Sequence, residues 1–151
     1  MGETFLFKEM GLSAALVADI ARMNPWWDHA PMPILPPTRR HLVDTMDFRL
    51  QRNLAPIVVV RGPRQIGKTT AQLQLIQRLL DRGVDPRRIV RFQCDEIPEI
   101  TALSEPILRL VDWYEQAVLK ETLNAAARGD RRAYLFLDEV QNLKEWAPQL
   151  K

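Results

Sequence analysis

The chain has 151 residues, 46% of them apolar and 26% charged, the make-up of one soluble globular domain of ordinary size. Its 21 basic and 19 acidic residues leave a net charge of +2, and the pairs Arg39-Arg40, Arg87-Arg88 and Arg131-Arg132 stand apart, so charge gives a nucleic-acid-binding surface no support. The single cysteine, Cys94, excludes an internal disulfide and suits a reducing cytoplasm, and no apolar run approaches the ~20 residues that cross a bilayer.

Residues 11–18 have the look of a short signal core, but Glu3 and Glu9 offset Lys8 before it, and Asp19 and Arg22 close it. That pattern argues against a secretory leader. Residues 12–23 instead read as a short amphipathic helix with Ser13 as N-cap. Asn24-Pro-Trp-Trp27 ends it, because the residue before a proline is disfavoured in the helical region. Pro31, Pro33, Pro36 and Pro37 then make a stiff, extended connector. Thr38 can cap a helix running to about Asn53, with Leu42, Val43, Met46, Phe48 and Leu50 on its apolar side. Pro56 opens an expected strand, Ile57-Val-Val-Val60, whose unbroken apolar run suits burial on both faces in a parallel sheet.

A helix is expected from Lys68 to about Arg82, with Leu75, Ile76, Leu79 and Leu80 on one side and Gly83 ending it. Ile89 to Cys94 reads as a second strand, in which Cys94 is a small strand residue rather than a nucleophile. Ser104 caps an expected long helix with Pro106 in its first turn, a stripe of Ile107, Leu110, Val111, Tyr114, Ala117 and Val118, and Gly129 as its stop. Trp113 falls on that helix and reads as core. Ala133 to Leu137 is a third expected strand. Strand–helix–strand–helix–strand order predicts an α/β fold, a parallel sheet with flanking helices.

Behind the first expected strand stands Gly62-Pro63-Arg64-Gln65-Ile66-Gly67-Lys68-Thr69-Thr70, which fits G-x-x-x-x-G-K-[ST] at every fixed position. A di- or triphosphate must be wrapped by backbone N–H groups, so the chain has to approach closely and turn sharply. Gly62 and Gly67 permit that because they carry no Cβ. The helix beginning near Lys68 aims its first amides and positive dipole end at the phosphates. Lys68 adds a mobile cation for the β and γ oxygens, and the Thr69 hydroxyl suits Mg²⁺, which takes oxygen ligands.

The third expected strand ends in Asp138-Glu139, two carboxylates at the C-terminal edge where open α/β sheets bind ligands. Asp138 can hold the magnesium through water, and Glu139 can orient the attacking water. Asp95-Glu96 has the same placement after the second strand; Asp95 reads as a supporting residue behind the site and Glu96 as solvated. His29 and His41 have no ligand-like partner spacing, so no zinc site is expected.

The loop, together with Phe136-Leu-Asp-Glu-Val-Gln-Asn-Leu-Lys-Glu-Trp146, resembles the AAA-type ATPase domain of a large group of archaeal and bacterial ATP-binding proteins. The Asn24-Pro-Trp-Trp27 box before a proline-rich connector is also similar to members of that group, and the likeness runs from about residue 22. It implies ATP bound by Gly62 to Thr70, Mg²⁺ served by Thr69 and Asp138, and Glu139 as catalytic base. It also implies a P-loop NTPase sheet of the additional-strand type, self-association of the full-length protein, and an arginine, often from a neighbouring subunit, completing the site.

In that architecture two more strands follow the acidic one. The expectation is therefore an N-terminal fragment, incomplete at the C-terminus, poorly stable and a weak ATPase alone. Residues 1–37 would form the N-terminal helix, box and connector, and residues 38–151 a partial P-loop ATPase domain. Trp26 and Trp27 read as aromatic anchors docking the N-terminal segment; the alternative, that one flanks the adenine, follows from the resemblance alone. The leading functional reading is ATP hydrolysis that drives a conformational change. A nucleotide-dependent switch that controls a protein or DNA partner is the alternative, and a small-molecule kinase, which would need an arginine-rich lid, ranks third.

Overall fold

The computed structural model describes residues 11–37, 41–52, 57–63, 66–129 and 131–151. They fall into two compact units, one of Pro86–Lys151 with the N-terminal segment as far as Pro31, the other of Met32–Asp85.

The first unit is built on two parallel strands, β1 (Ile89–Gln93) and β2 (Tyr134–Asp138), paired so that Arg91 faces Phe136 and Gln93 faces Asp138. The amide of Cys94 extends the ladder by donating to Asp138 O at 3.0 Å. Strand alternation sends Val90, Phe92, Cys94, Leu135 and Leu137 to one face, where they pack with Leu12, Leu16 and Ile20 around α1 (Ala14–Met23). Ser13 caps α1 as expected, its hydroxyl accepting from Leu16 N at 3.1 Å. Ile107, Leu110, Trp113 and Tyr114 of α5 (Pro106–Tyr114) belong to the same core, as does Ile100 of α4 (Pro98–Ala102).

The N-terminal box explains why β1 can stand at a sheet edge. Its outer edge offers the backbone groups of Ile89, Arg91 and Gln93, and side chains meet Ile89 O, Arg91 N, Arg91 O and Gln93 N. The buried Asn24 carboxamide accepts from Arg91 N at 2.7 Å and donates to Arg91 O at 2.9 Å, so it substitutes for the peptide group of a neighbouring strand. The Trp26 and Trp27 indoles both donate to Ile89 O, at 2.9 and 2.8 Å, and Met23 Sδ accepts from Gln93 N at 3.4 Å. Trp27 also stacks on Tyr114, ring centres 6.4 Å apart. A bare strand edge is a template for unwanted pairing, and here side chains of the same chain occupy much of it. Both tryptophans are engaged as anchors of this segment.

The expected single long helix after Ser104 is interrupted. Glu105, in left-handed backbone (φ 49°), precedes α5; the chain then makes a π-turn over Glu115–Leu119, Lys120 turns left-handed (φ 62°), and α6 (Leu123–Arg128) starts afresh under a Thr122 cap. The Glu115 carboxylate takes the Leu123 amide at 2.7 Å, which holds the break. Two competing local hydrogen-bonders thus end a helix whose apolar spacing alone ran on. After β2 come a 3₁₀ turn (Val140–Asn142) and α7 (Trp146–Gln149), and Gln149 Oε1 accepts from Ile107 N at the start of α5 at 2.9 Å.

The second unit pairs α2 (His41–Gln51) with α3 (Lys68–Asp81). Val43, Met46, Ala71, Leu75, Ile76 and Leu79 are buried. The expected cap Thr38 lies outside the described residues. Phe48, expected on the apolar side of α2, is exposed instead and lies under the Arg52 guanidinium, 4.7 Å from its ring centre. The buried position next to it is Asp47, whose carboxylate takes Arg78 Nη1 at 2.8 Å and Arg82 Nη1 at 2.8 Å. These arginines hold Asp47 down to about 2, with Arg82 the stronger influence. Gly83 (φ 88°) ends α3 as expected, its amide donating to Leu80 O at 2.9 Å and that of Val84 to Leu79 O at 3.1 Å.

One expectation fails outright. Ile57–Val60 is not a strand: among the described residues it has no ladder partner, and the sheet there is β1 and β2 alone. Nor is it buried on both faces, since Ile57 and Val59 are 43% and 57% exposed while Val58 and Val60 are half-covered. β-branched residues make a segment able to pair, but pairing is decided by a neighbour elsewhere in the chain.

Candidate functional site

The second unit carries the loop and the first the acidic pair. Gly62 and Pro63 are exposed and lack regular structure, Arg64 and Gln65 lie outside the described residues, and Ile66 is 44% exposed. A Cβ on Gly62 would collide with Ile66 Cδ1. Gly67 sits at φ 89°, a backbone that side chains disfavour, and occupies the N-cap position of α3. With no side chain there, α3 receives no side-chain cap, and its positive end opens onto the loop. Lys68 Nζ folds back to donate to the carbonyls of Gly62 and Pro63, at 2.5 and 3.0 Å. The ammonium group therefore lies over the loop, on exposed carbonyls. Thr69 is exposed on the first turn of α3, and Thr70 follows, half-buried.

Asp138 closes β2, 4% exposed. Its Oδ2 is held at 2.7 Å by Arg91 Nη2, and both side chains are buried. Register accounts for the contact: Gln93 faces Asp138, and Arg91, two residues earlier on β1, shares its face. Nothing in the sequence pattern singled out this arginine. It is the third residue of a strand whose other members are apolar or neutral, and its partner lies 47 positions on.

Glu139 adopts left-handed backbone (φ 55°) and starts the 3₁₀ turn, so the chain pivots between the two carboxylates. Its main-chain oxygen accepts from Asn142 Nδ2 at 3.0 Å, and its Oε2 accepts from Gln141 Nε2. Gln141, earlier only a mark of resemblance, thus orients the acid. Backbone of this kind costs on the order of 1–3 kcal/mol and persists where surroundings over-determine it. Asp95 and Glu96 are both exposed in the turn after β1. Burial, and after it the Asp138 carboxylate, push the Cys94 thiol up to about 12.

The donors named for magnesium are a hydroxyl and a carboxylate, the oxygen set a hard cation takes, and the glycine-opened helix end is a setting for anions. The hydroxyl and the carboxylate lie in different units, and each is of a kind that suits ATP with Mg²⁺. No described helix is long and apolar enough to cross a membrane.

No curated protein and no solved structure matches the chain. A family model does: that of the AAA domain, over residues 54–151. The matched stretch includes the loop, both strands and the acidic pair, and it spans well over half of the chain. The chain belongs to the AAA domain family.

Proposed function

We propose that the chain binds ATP–Mg²⁺ through residues 62–70 and that the complete assembly hydrolyses ATP to drive a conformational change. Membership of the AAA domain family implies nucleotide binding or hydrolysis. The observation that carries the finer reading is the junction at Gly67: left-handed backbone, an uncapped 14-residue helix behind it, and Lys68 drawn over the loop.

In this reading the first amides of α3 and the loop hold the phosphates. Lys68 exchanges its carbonyl partners for phosphate oxygens, Thr69 would give the metal a hydroxyl oxygen, and Asp138 would hold it through water. Magnesium, when bound, offsets charge on the transferred phosphoryl group. Glu139, braced by Gln141, aligns water for attack, and a cationic group from a second copy supplies the charge stabilisation that is worth roughly 10³–10⁵ in rate. Residues 38–151 form the ATPase part, with 1–37 as its N-terminal attachment. The exposed apolar side of Ile57–Val60 supports an additional-strand architecture in which this segment pairs with a strand that the described residues do not supply. The lone, buried Cys94 suits a cytoplasmic protein.

Glu139→Gln tests the function. Retained ATP binding with lost phosphate release supports hydrolysis. Unchanged nucleotide-dependent docking of a partner by the same variant would point to a switch instead.

A further inference from the structure

We propose that Arg91 is the resident counter-cation of Asp138 and sets how strongly that carboxylate serves Mg²⁺, an inference that rests on the ATP–Mg²⁺ reading above. A guanidinium buried in an edge strand is costly unless a partner meets its charge. Arg91 has that partner in Asp138 Oδ2 at 2.7 Å, and its other terminal nitrogen donates to Gln93 Oε1 at 3.2 Å. Its backbone is fixed as well, because Asn24 clamps both Arg91 N and Arg91 O. The box, the arginine and the aspartate form one relay: Asn24 positions Arg91, and Arg91 holds the carboxylate.

The arrangement makes the nucleotide-free carboxylate a neutralised one. A divalent cation on Asp138 has to share it with a fixed positive charge, and like charges a few ångströms apart repel strongly at the effective dielectric of a protein site. Arg91 therefore yields or shares Oδ2 when the site fills, and it keeps metal affinity low until nucleotide phosphates supply further negative charge. Arg91 acts as a positioning residue, through Asp138.

The test is Mg²⁺ titration of fluorescent-ATP-analogue binding by the full chain, for wild type, Arg91→Gln, Arg91→Lys and Asp138→Asn. The quantity read is the Mg²⁺ half-point, relative to analogue affinity in EDTA. Removing a unit charge this close should lower the half-point about tenfold or more in Arg91→Gln. Arg91→Lys should stay near wild type, and Asp138→Asn should raise the half-point. An unchanged half-point in Arg91→Gln would overturn the proposal and leave the phosphate-loop reading standing. A raised one would overturn it too, by making Arg91 only an orienter of the carboxylate. Wild type that binds no analogue sinks both readings.

Should Arg91→Gln not fold, the wild type carries the test through guanidinium nitrogen NMR. The Arg91 Nη signals should move when Mg²⁺ is added to the analogue complex, and signals that stay in place refute the sharing.

Discussion

Asn24→Ala removes the group that stands in for a missing strand. Asn24 is 1% exposed, and its carboxamide serves Arg91 N, Arg91 O and, at 2.8 Å, Ile20 O. Each buried backbone group that loses such a partner costs about 1–3 kcal/mol. Water entering the space left by the carboxamide offsets part of that, so we expect about 2–4 kcal/mol in all. For a chain of this size each kcal/mol moves Tm by about 2–4 °C, which gives a fall of about 5–15 °C. The same change bares the outer edge of β1, so self-association should accompany it. Thermal melting by circular dichroism reads the first effect, and light scattering on a sizing column reads the second. A fall under about 2 °C in a chain that stays monomeric would refute the edge-capping argument.

Other outcomes follow from the same structure. Asp47, held at about 2 against an ordinary 3.8, is a carboxylate with a depressed value. Its stabilisation is complete above 3.8 and is lost as pH falls through about 2. Because its partner Arg82 is 46% exposed, solvent screening trims the full linkage value to about 1–2 kcal/mol. Urea denaturation should show Asp47→Asn less stable than wild type by that amount at pH 7, with the gap closing by pH 2; a gap that does not depend on pH would contradict the ion cluster. Cys94, buried with its thiol at about 12, should resist maleimide at pH 8 until the chain unfolds, and prompt labelling of the native chain would show that the β1 end opens. Gly67→Ala should cost about 1–2 kcal/mol in left-handed backbone, read by denaturation, and weaken nucleotide binding further by crowding the loop.

Local signals were legible where one segment settles its own structure. Ser13 before an amphipathic run marked α1, Gly83 marked the end of α3, and the apolar runs before Asp95 and Asp138 marked β1 and β2. Gly67 was legible as a turn into α3 because left-handed backbone favours a residue without Cβ. What escaped depends on distant partners. Ile57–Val60 has strand composition and, among the described residues, no ladder. Asn24 finds its strand 67 positions away, and Arg91 and Asp138 meet only through sheet register. The break escaped because the apolar stripe runs on to Val118, through the π-turn, and only then do Lys120 and Thr122 redirect the chain. Phe48 and Asp47 exchanged roles because Arg78 of α3 and Arg82 just after it reach the carboxylate.

Isothermal calorimetry of ATP–Mg²⁺ with wild type and Lys68→Ala, both verified as folded by circular dichroism, tests the central claim most directly. A charge-assisted hydrogen bond is worth about 1.5–3 kcal/mol. Wild type should therefore bind saturably and the variant roughly ten- to a hundredfold more weakly. Equal heats from the two proteins, or none from a folded wild type, would contradict the assignment of residues 62–70 as the nucleotide grip.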